Sequence, residues 1–193
     1  MKGYILLRKK AFKILKSELS DDLFYHGFQH TLDVLHVCNQ YIKREKIDDY
    51  NAKLLRIGAL FHDIGFTVSN IDHEDRGVEI AQKLMEEFGF SKKTFNKVKG
   101  LILATRIPQS PKNYLEKIIC DADLDYLGRP DFYKISNYLF KELKAYSIIK
   151  NQKEWDIAQI KFLEAHKYHT DFALRNRQTK KEKRIAELKN LIS

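Results

Sequence analysis

Apolar residues recur every three or four positions along almost the whole chain, and no convincing run alternates with period two. The first pattern paints a stripe on a helix and the second paints one face of a strand, so an all-α fold is expected. Breakers are scarce, with 8 glycines and 3 prolines in 193 residues, which leaves the helices few places to end. The first helix is expected over about 3–19, with Ile5, Leu6, Phe12, Leu15 and Leu19 as its apolar members. After the aromatic connection LFYHGF comes a second from about 30 to 44, carrying Leu32, Leu35, Cys38 and Tyr41/Ile42. A third, about 50–64, should stop at Gly65, a C-terminal glycine.

Asp72, with Asp75 three residues on, resembles an N-terminal cap for a fourth helix that Gly89 closes. Ser91 can cap a fifth that stops at IPQSP. Further helices are expected over about 113–127 and 131–146, and a last long pattern runs from about 152 past 172 into a basic C-terminal segment. Internal repeats, linkers and low-complexity segments are all missing from the sequence. The expectation is one domain over residues 1–193, a compact bundle of about eight or nine helices with the C-terminal helices of 150–193 packed on it.

A hydrophobic content of 44% suits a chain with a substantial core. No uncharged apolar window of roughly 18 residues exists, and YILL near the amino terminus is too short for a secretory segment, so a soluble cytoplasmic protein without a membrane partner is expected. Cys38 and Cys120 lie in apolar helical stretches and read as buried thiols rather than a disulfide. The formal charge of +9 favours anionic ligands. Seven of the basic residues fall between Arg175 and Lys189, which reads as a solvated helix face; without interleaved aromatics or a groove-reading motif, nucleic acid is not the expected partner.

Within this helical frame three places set histidine or aspartate in apolar surroundings: YHGFQHT at 25–31, His62 and Asp63 in LFHDIGF, and CDADLD at 120–125. Desolvation opposes charge at such positions, so each needs a partner, and a divalent cation is the single partner that accepts imidazole nitrogen and carboxylate oxygen together. His26 and His30 share a face if their helix starts early enough. Adjacent helical positions diverge by about 100°, so His62 and Asp63 can meet one ion only near a helix terminus, which Gly65 puts close by. In CDADLD the apolar frame Leu115, Ile118, Ile119, Ala122 places Asp123 beside the buried stripe and turns Asp121 and Asp125 toward solvent, with Asp121 a second-choice ligand.

One histidine, then a His-Asp doublet, then a distal aspartate resembles the signature of the HD superfamily of metal-dependent phosphohydrolases, over roughly residues 24–135. The resemblance implies His30, His62, Asp63 and Asp123 as metal ligands, with Asp63 able to bridge to a second ion. YHGFQHT looks like the YHNxxHA element of cyclic-nucleotide phosphodiesterases, which makes His26 the candidate general acid. Glycine replaces that element's asparagine, and Phe66 stands where a downstream histidine belongs. His73, with Glu74, is similar to an HE element that touches substrate phosphate or a second ion.

Arg76, Arg106, Lys117 and Arg129 are possible phosphate clamps, Arg76 and Arg129 being carried forward as substrate-binding residues. His166 and His169, three apart on the last long helix, are given packing or capping roles, and His36 is excluded. The expected activity is hydrolysis of a phosphate ester, of a nucleotide or related small molecule, with one or two ions of manganese, iron, magnesium, cobalt or zinc activating water. A nucleotide-binding regulator without turnover, and a cyclic-nucleotide or alarmone phosphodiesterase, are the alternatives. A homodimer is a base-rate expectation.

Overall fold

Ten α-helices and two short 3-10 turns make up the regular structure of residues 3–192, the part that the computed structural model describes. They are α1 (Tyr4–Ser17), α2 (Phe28–Arg44), α3 (Asp49–Phe61), α4 (His73–Glu87), α5 (Lys92–Ala104), α6 (Tyr114–Asp123), α7 (Phe132–Ala145), α8 (Gln152–Ala165), α9 (Asp171–Asn176) and α10 (Gln178–Ile192). The 3-10 turns, Ile64–Thr67 and Asp125–Gly128, continue α3 and α6 after a short break. No strand is present among the described residues, and no helix there is long and apolar enough to cross a membrane.

The all-helical expectation holds, and the differences lie in phase and in breaks. On α1 the buried stripe is Leu7, Ala11 and Leu15, while Ile5 and Leu6 point outward at 68% and 57% exposure. On α2 it is His30, Val34, Val37 and Tyr41, with Leu32 and Leu35 only half-buried. Helix α3 ends at Phe61, and its C-cap is His62, not Gly65. Asp72 does sit at the N-cap of α4, but with φ 53° and no side-chain hydrogen bond to the helix. Ser91 caps α5 as expected, accepting from the Thr94 N–H, and Gly89 turns left-handed (φ 73°) to close α4.

The last long pattern is three helices rather than one, which is why the count exceeds nine. No proline or glycine interrupts it. Instead the Asp121 carboxylate, from α6, accepts from the N–H groups of His169 and Thr170 at 2.8 Å each, and Thr170 then caps α9. Backbone donors that a continuous helix would use internally are thereby held by a carboxylate far away in sequence.

Two hydrophobic clusters carry the fold. The first gathers α1 to α6 around Leu7, Tyr41, Leu54, Phe61, Met85 and Ile102. The second joins Tyr25, Leu124, Tyr126, Phe132, Leu163 and Leu188, drawing on the end of α6 and the C-terminal helices. The last turn of α3, Ile57 to Phe61, is buried all round, and Leu54, Leu55, Ile57, Leu60 and Phe61 are each 1% exposed or less. At about 1.5–3 kcal/mol per such side chain, α3 is a firm base for whatever sits at its C-terminus. Both cysteines are buried free thiols.

Candidate metal centre

His62 and Asp63 follow directly on α3, His30 stands in the first turn of α2, and Asp123 is the last residue of α6. The end of α3 explains how two neighbouring residues face one point. His62 is still in helical conformation (φ −57°, ψ −40°), whereas Asp63 has left it (φ −112°, ψ 5°), so the 100° divergence of a helix no longer applies. Gly65 serves a different purpose from the expected cap. A Cβ there would lie 1.8 Å from the His73 carbonyl oxygen, so only glycine lets the 3-10 turn and the start of α4 close up and bring His73 over Asp63.

The four side chains converge. His30 Nε2 lies 3.2 Å from His62 Nε2 and 3.0 Å from Asp123 Oδ1. Asp63 Oδ2 lies 3.1 Å from His62 Nε2 and 3.4 Å from His30 Nε2. Donor atoms of His30, His62 and Asp123 all fall within 4.8 Å of one another, as one ion requires. His62 Nδ1 donates to the Ala59 carbonyl at 3.0 Å, which orients the ring with Nε2 toward Asp63 and His30. Asp63 Oδ2 is buried without a hydrogen bond. The donor set of imidazole nitrogen and carboxylate oxygen suits a divalent cation, which would also pair the Asp63 oxygen.

Surrounding residues wall the cluster. Tyr25 stacks on His30 with ring centroids 4.6 Å apart. Phe66 is sandwiched between His26 (4.4 Å) and His73 (4.0 Å), so the phenylalanine in place of a histidine acts as a plate for the two imidazoles beside the cluster. His73 Nε2 lies 3.5 Å from Asp63 Oδ1, the carboxylate oxygen turned away from the first set of ligands. A cavity of about 140 Å³ opens over this arrangement, lined by His26, Asp63, His73, Glu74 and Asp123 among others.

His26 is not on the face of α2 with His30, because the helix starts only at Phe28. It lies in the preceding loop, held by Glu142 of α7. Glu142 accepts from the Tyr25 N–H (2.7 Å), the His26 N–H (2.9 Å) and His26 Nδ1. Burial works against a charged His26, but the hydrogen bond to Glu142 and the carboxylates of Asp63, Glu142 and Asp123 prevail and raise its pKa. Burial pushes Glu142 up, and His26 outweighs this to hold it below its usual value. Sequence reasoning missed Glu142. Its signal was a carboxylate in register with Ile135 and Leu139 on the apolar face of an amphipathic helix.

Four other expectations are corrected. Asp121 and Asp125 do not face solvent; they are 0% and 1% exposed. Asp121 is no ligand, since its oxygens accept from His169 N, Thr170 N and Thr170 Oγ1, and burial raises its pKa to about 6. Asp125 pairs with Arg177 at 2.8 Å. Nor do Arg76 and Arg129 line the cavity, each guanidinium being engaged elsewhere: Arg76 with Glu79 at 3.3 Å, and Arg129 with Asp33 at 2.9 Å and Asp131 at 3.0 Å. Arg106, between the lining residues Thr105 and Ile107, lies nearer, bound to Asp75 at 2.6 Å, and Lys117 is exposed on α6. The C-terminal segment is not wholly a solvated face, because Lys181 is 2% exposed.

An all-helical fold whose separate helices bring two imidazoles and two carboxylates together carries the donor set of a divalent-metal site. Comparison with known families sharpens this: the HD domain model matches residues 27–125, just over half the chain, and the chain belongs to that family. The crystal structure of a predicted HD superfamily hydrolase from an uncultured Thermotogales bacterium is similar, with a TM-score of 0.56 and 28% identity over 67% of this chain and 74% of that one. No curated protein matches the chain.

Proposed function

We propose that this chain is a metal-dependent phosphohydrolase that cleaves a phosphate ester of a nucleotide or similar small molecule. The observation that carries the reading is the convergence of His30, His62, Asp63 and Asp123 beneath a cavity into which a separately held, protonatable His26 also faces. Family membership and the likeness to a predicted HD superfamily hydrolase support it.

His30, His62, Asp63 and Asp123 would hold the ion, and His73, 3.5 Å from the outer oxygen of Asp63, would hold a second with it. A divalent cation bound there supplies activation of water and polarisation of a phosphoryl oxygen. The chain's own contribution is positional. Ala59 orients the His62 ring, Tyr25 sets the plane of His30, and Glu142 keeps a proton on His26 Nδ1 so that Nε2 presents another to a leaving oxygen in the cavity. Helix α4 starts at the cavity without a side-chain cap, leaving first-turn amides for phosphate oxygens, and Arg106 stands beside them.

The test is metal content and turnover of the purified chain on phosphomonoesters and diesters with added manganese, alongside Asp63→Ala. Loss of residues that only orient a ligand costs about 10–100-fold. Removing a ligand itself should cost at least a hundredfold in turnover. Equal activity in the variant would sink the assignment, and stoichiometric metal without turnover on any phosphate would favour a binding role.

A further inference from the structure

A cavity of about 270 Å³ lies among α1, α2 and α3, lined by Tyr4, Arg8, Leu35, Asn39, Arg56 and Leu60, and it shares no lining residue with the metal cavity. Its lining contains two arginines and no acidic residue. Elsewhere the chain neutralises its arginines. Among the described residues six of the nine, Arg76, Arg106, Arg129, Arg175, Arg177 and Arg184, form an ion pair with aspartate or glutamate. Arg44 instead packs its guanidinium over the Phe172 ring, 3.4 Å from the centroid. The two that remain, Arg8 and Arg56, form no ion pair among the described residues, and both line this one cavity.

Asn39 holds Arg56 by one edge. Its Oδ1 accepts from Arg56 Nε at 2.8 Å, and its Nδ2 donates to the Leu35 carbonyl at 2.9 Å, so the guanidinium is oriented by a neutral amide that is itself fixed. The two Nη groups of Arg56 form no hydrogen bond among the described residues, and neither is a buried unpaired atom, so both are open to solvent although the residue is half-buried. Arg8, an exposed residue, stands over the Phe12 ring at 5.3 Å from its centroid, which steadies the guanidinium without neutralising it. Two like charges beside one cavity repel, and an anion between them removes the repulsion. Guanidinium forks match the oxygens of phosphate and of carboxylate. Charge separates the two: a phosphate monoester carries about −2 at neutral pH, which balances the arginine pair, and a simple carboxylate does not. Tyr4, Leu35 and Leu60 give the cavity an apolar side for an organic group.

We propose that Arg8 and Arg56 form a phosphate-binding site, separate from the metal centre, for the dianion of inorganic phosphate or of a small phosphate monoester. The phosphate oxygens accept from both guanidinium groups and tie α1 to α3, the helix that His62 and Asp63 follow. Nothing in the site depends on turnover, so it stands or falls apart from the phosphohydrolase reading.

Calorimetric titration of the full-length chain with inorganic phosphate and with phenyl phosphate, at constant ionic strength, tests the site. Wild type is compared with Asp63→Ala, which takes a ligand from the metal cluster, and with Arg8→Gln and Arg56→Gln placed in that Asp63→Ala chain, so that only binding away from the metal centre is read. Asp63→Ala should still bind phosphate. Each arginine substitution should weaken that binding at least about tenfold, the usual contribution of one hydrogen bond to a charged group. Phenyl phosphate should bind more tightly than inorganic phosphate if the occupant is an ester, and more weakly if it is the free ion. Arg8 is exposed, so Arg8→Gln keeps the fold, which an unchanged melting temperature without phosphate verifies. In the otherwise wild-type chain Arg8→Gln should also keep its metal content. Absence of phosphate binding in Asp63→Ala, or binding of equal strength with and without the arginines, would overturn the site and leave the phosphohydrolase reading untouched.

Discussion

Three aspartates of one short segment, Asp121, Asp123 and Asp125, have opposite surroundings. Asp121 and Asp125 are almost fully buried and fully matched: one takes three hydrogen bonds from the His169–Thr170 loop, the other a guanidinium from Arg177. Asp123, between them, turns the other way and meets His30 Nε2 at 3.0 Å and His62 Nε2 at 3.6 Å, imidazole nitrogens of the cluster. Burial is common to both clusters and does not distinguish a metal ligand. The kind of partner does: the outer pair meets backbone and guanidinium donors that fasten the C-terminal helices to the bundle, and the inner one meets the imidazoles of His30 and His62.

The comparison can be broken from the fastening side first. Arg177→Ala leaves Asp125 buried without its nearest partner, and breaking a buried pair in this way costs about 3–5 kcal/mol. In a chain of this size that should lower the melting temperature by roughly 6–20 °C, read by calorimetry. A change below about 1 kcal/mol would mean that Arg129, 3.7 Å from Asp125, can take over the charge.

Glu142→Gln tests the chemical side more finely. Because the His26 pKa is raised, its share of the pair's stability is complete below 6.5 and is lost as pH rises through the higher folded value. Glu142 is lowered, so its share is present above 4.5 and is lost as pH falls through the lower folded value. With glutamine the carboxylate's support disappears, although Asp63 and Asp123 still face His26. The alkaline limb of the turnover profile should therefore move toward 6.5, with a fall in turnover at neutral and alkaline pH. An unmoved limb would remove His26 from the proton transfer.

Thr170→Val gives the smallest effect. It takes one of three donors from Asp121 and the cap from α9, and should cost about 1–2 kcal/mol in denaturant unfolding. The folded variant should keep its metal content; loss of metal at native stability would tie the two clusters together.

Much of the site was legible because its signals are local. Each of the four cluster residues sits in a helical apolar frame that marks it as buried, and a buried ionisable group demands a partner. What escaped was set by distant chain. The helical wheel of α6 assigned Asp121 and Asp125 to solvent on the assumption of one buried face, yet Ile118 through Ala122 are all buried, because the C-terminal helices cover the other side. The break at His166–Thr170 has no local cause and comes from a carboxylate contributed by α6. Glu142, more than a hundred residues from His26, likewise meets it only once separate helices have packed.

The central claim is that the cluster of imidazoles and carboxylates around Asp123, and not burial alone, makes the cation site. Metal per folded chain, measured by mass spectrometry after purification with manganese, tests it on wild type, Asp123→Asn and Asp121→Asn. The account predicts that Asp123→Asn loses at least about tenfold in bound metal while it stays folded. Asp121→Asn should melt earlier, by about 1–3 kcal/mol of lost hydrogen bonding, and keep its metal. Full metal content in Asp123→Asn, or its loss from a folded Asp121→Asn, would contradict it.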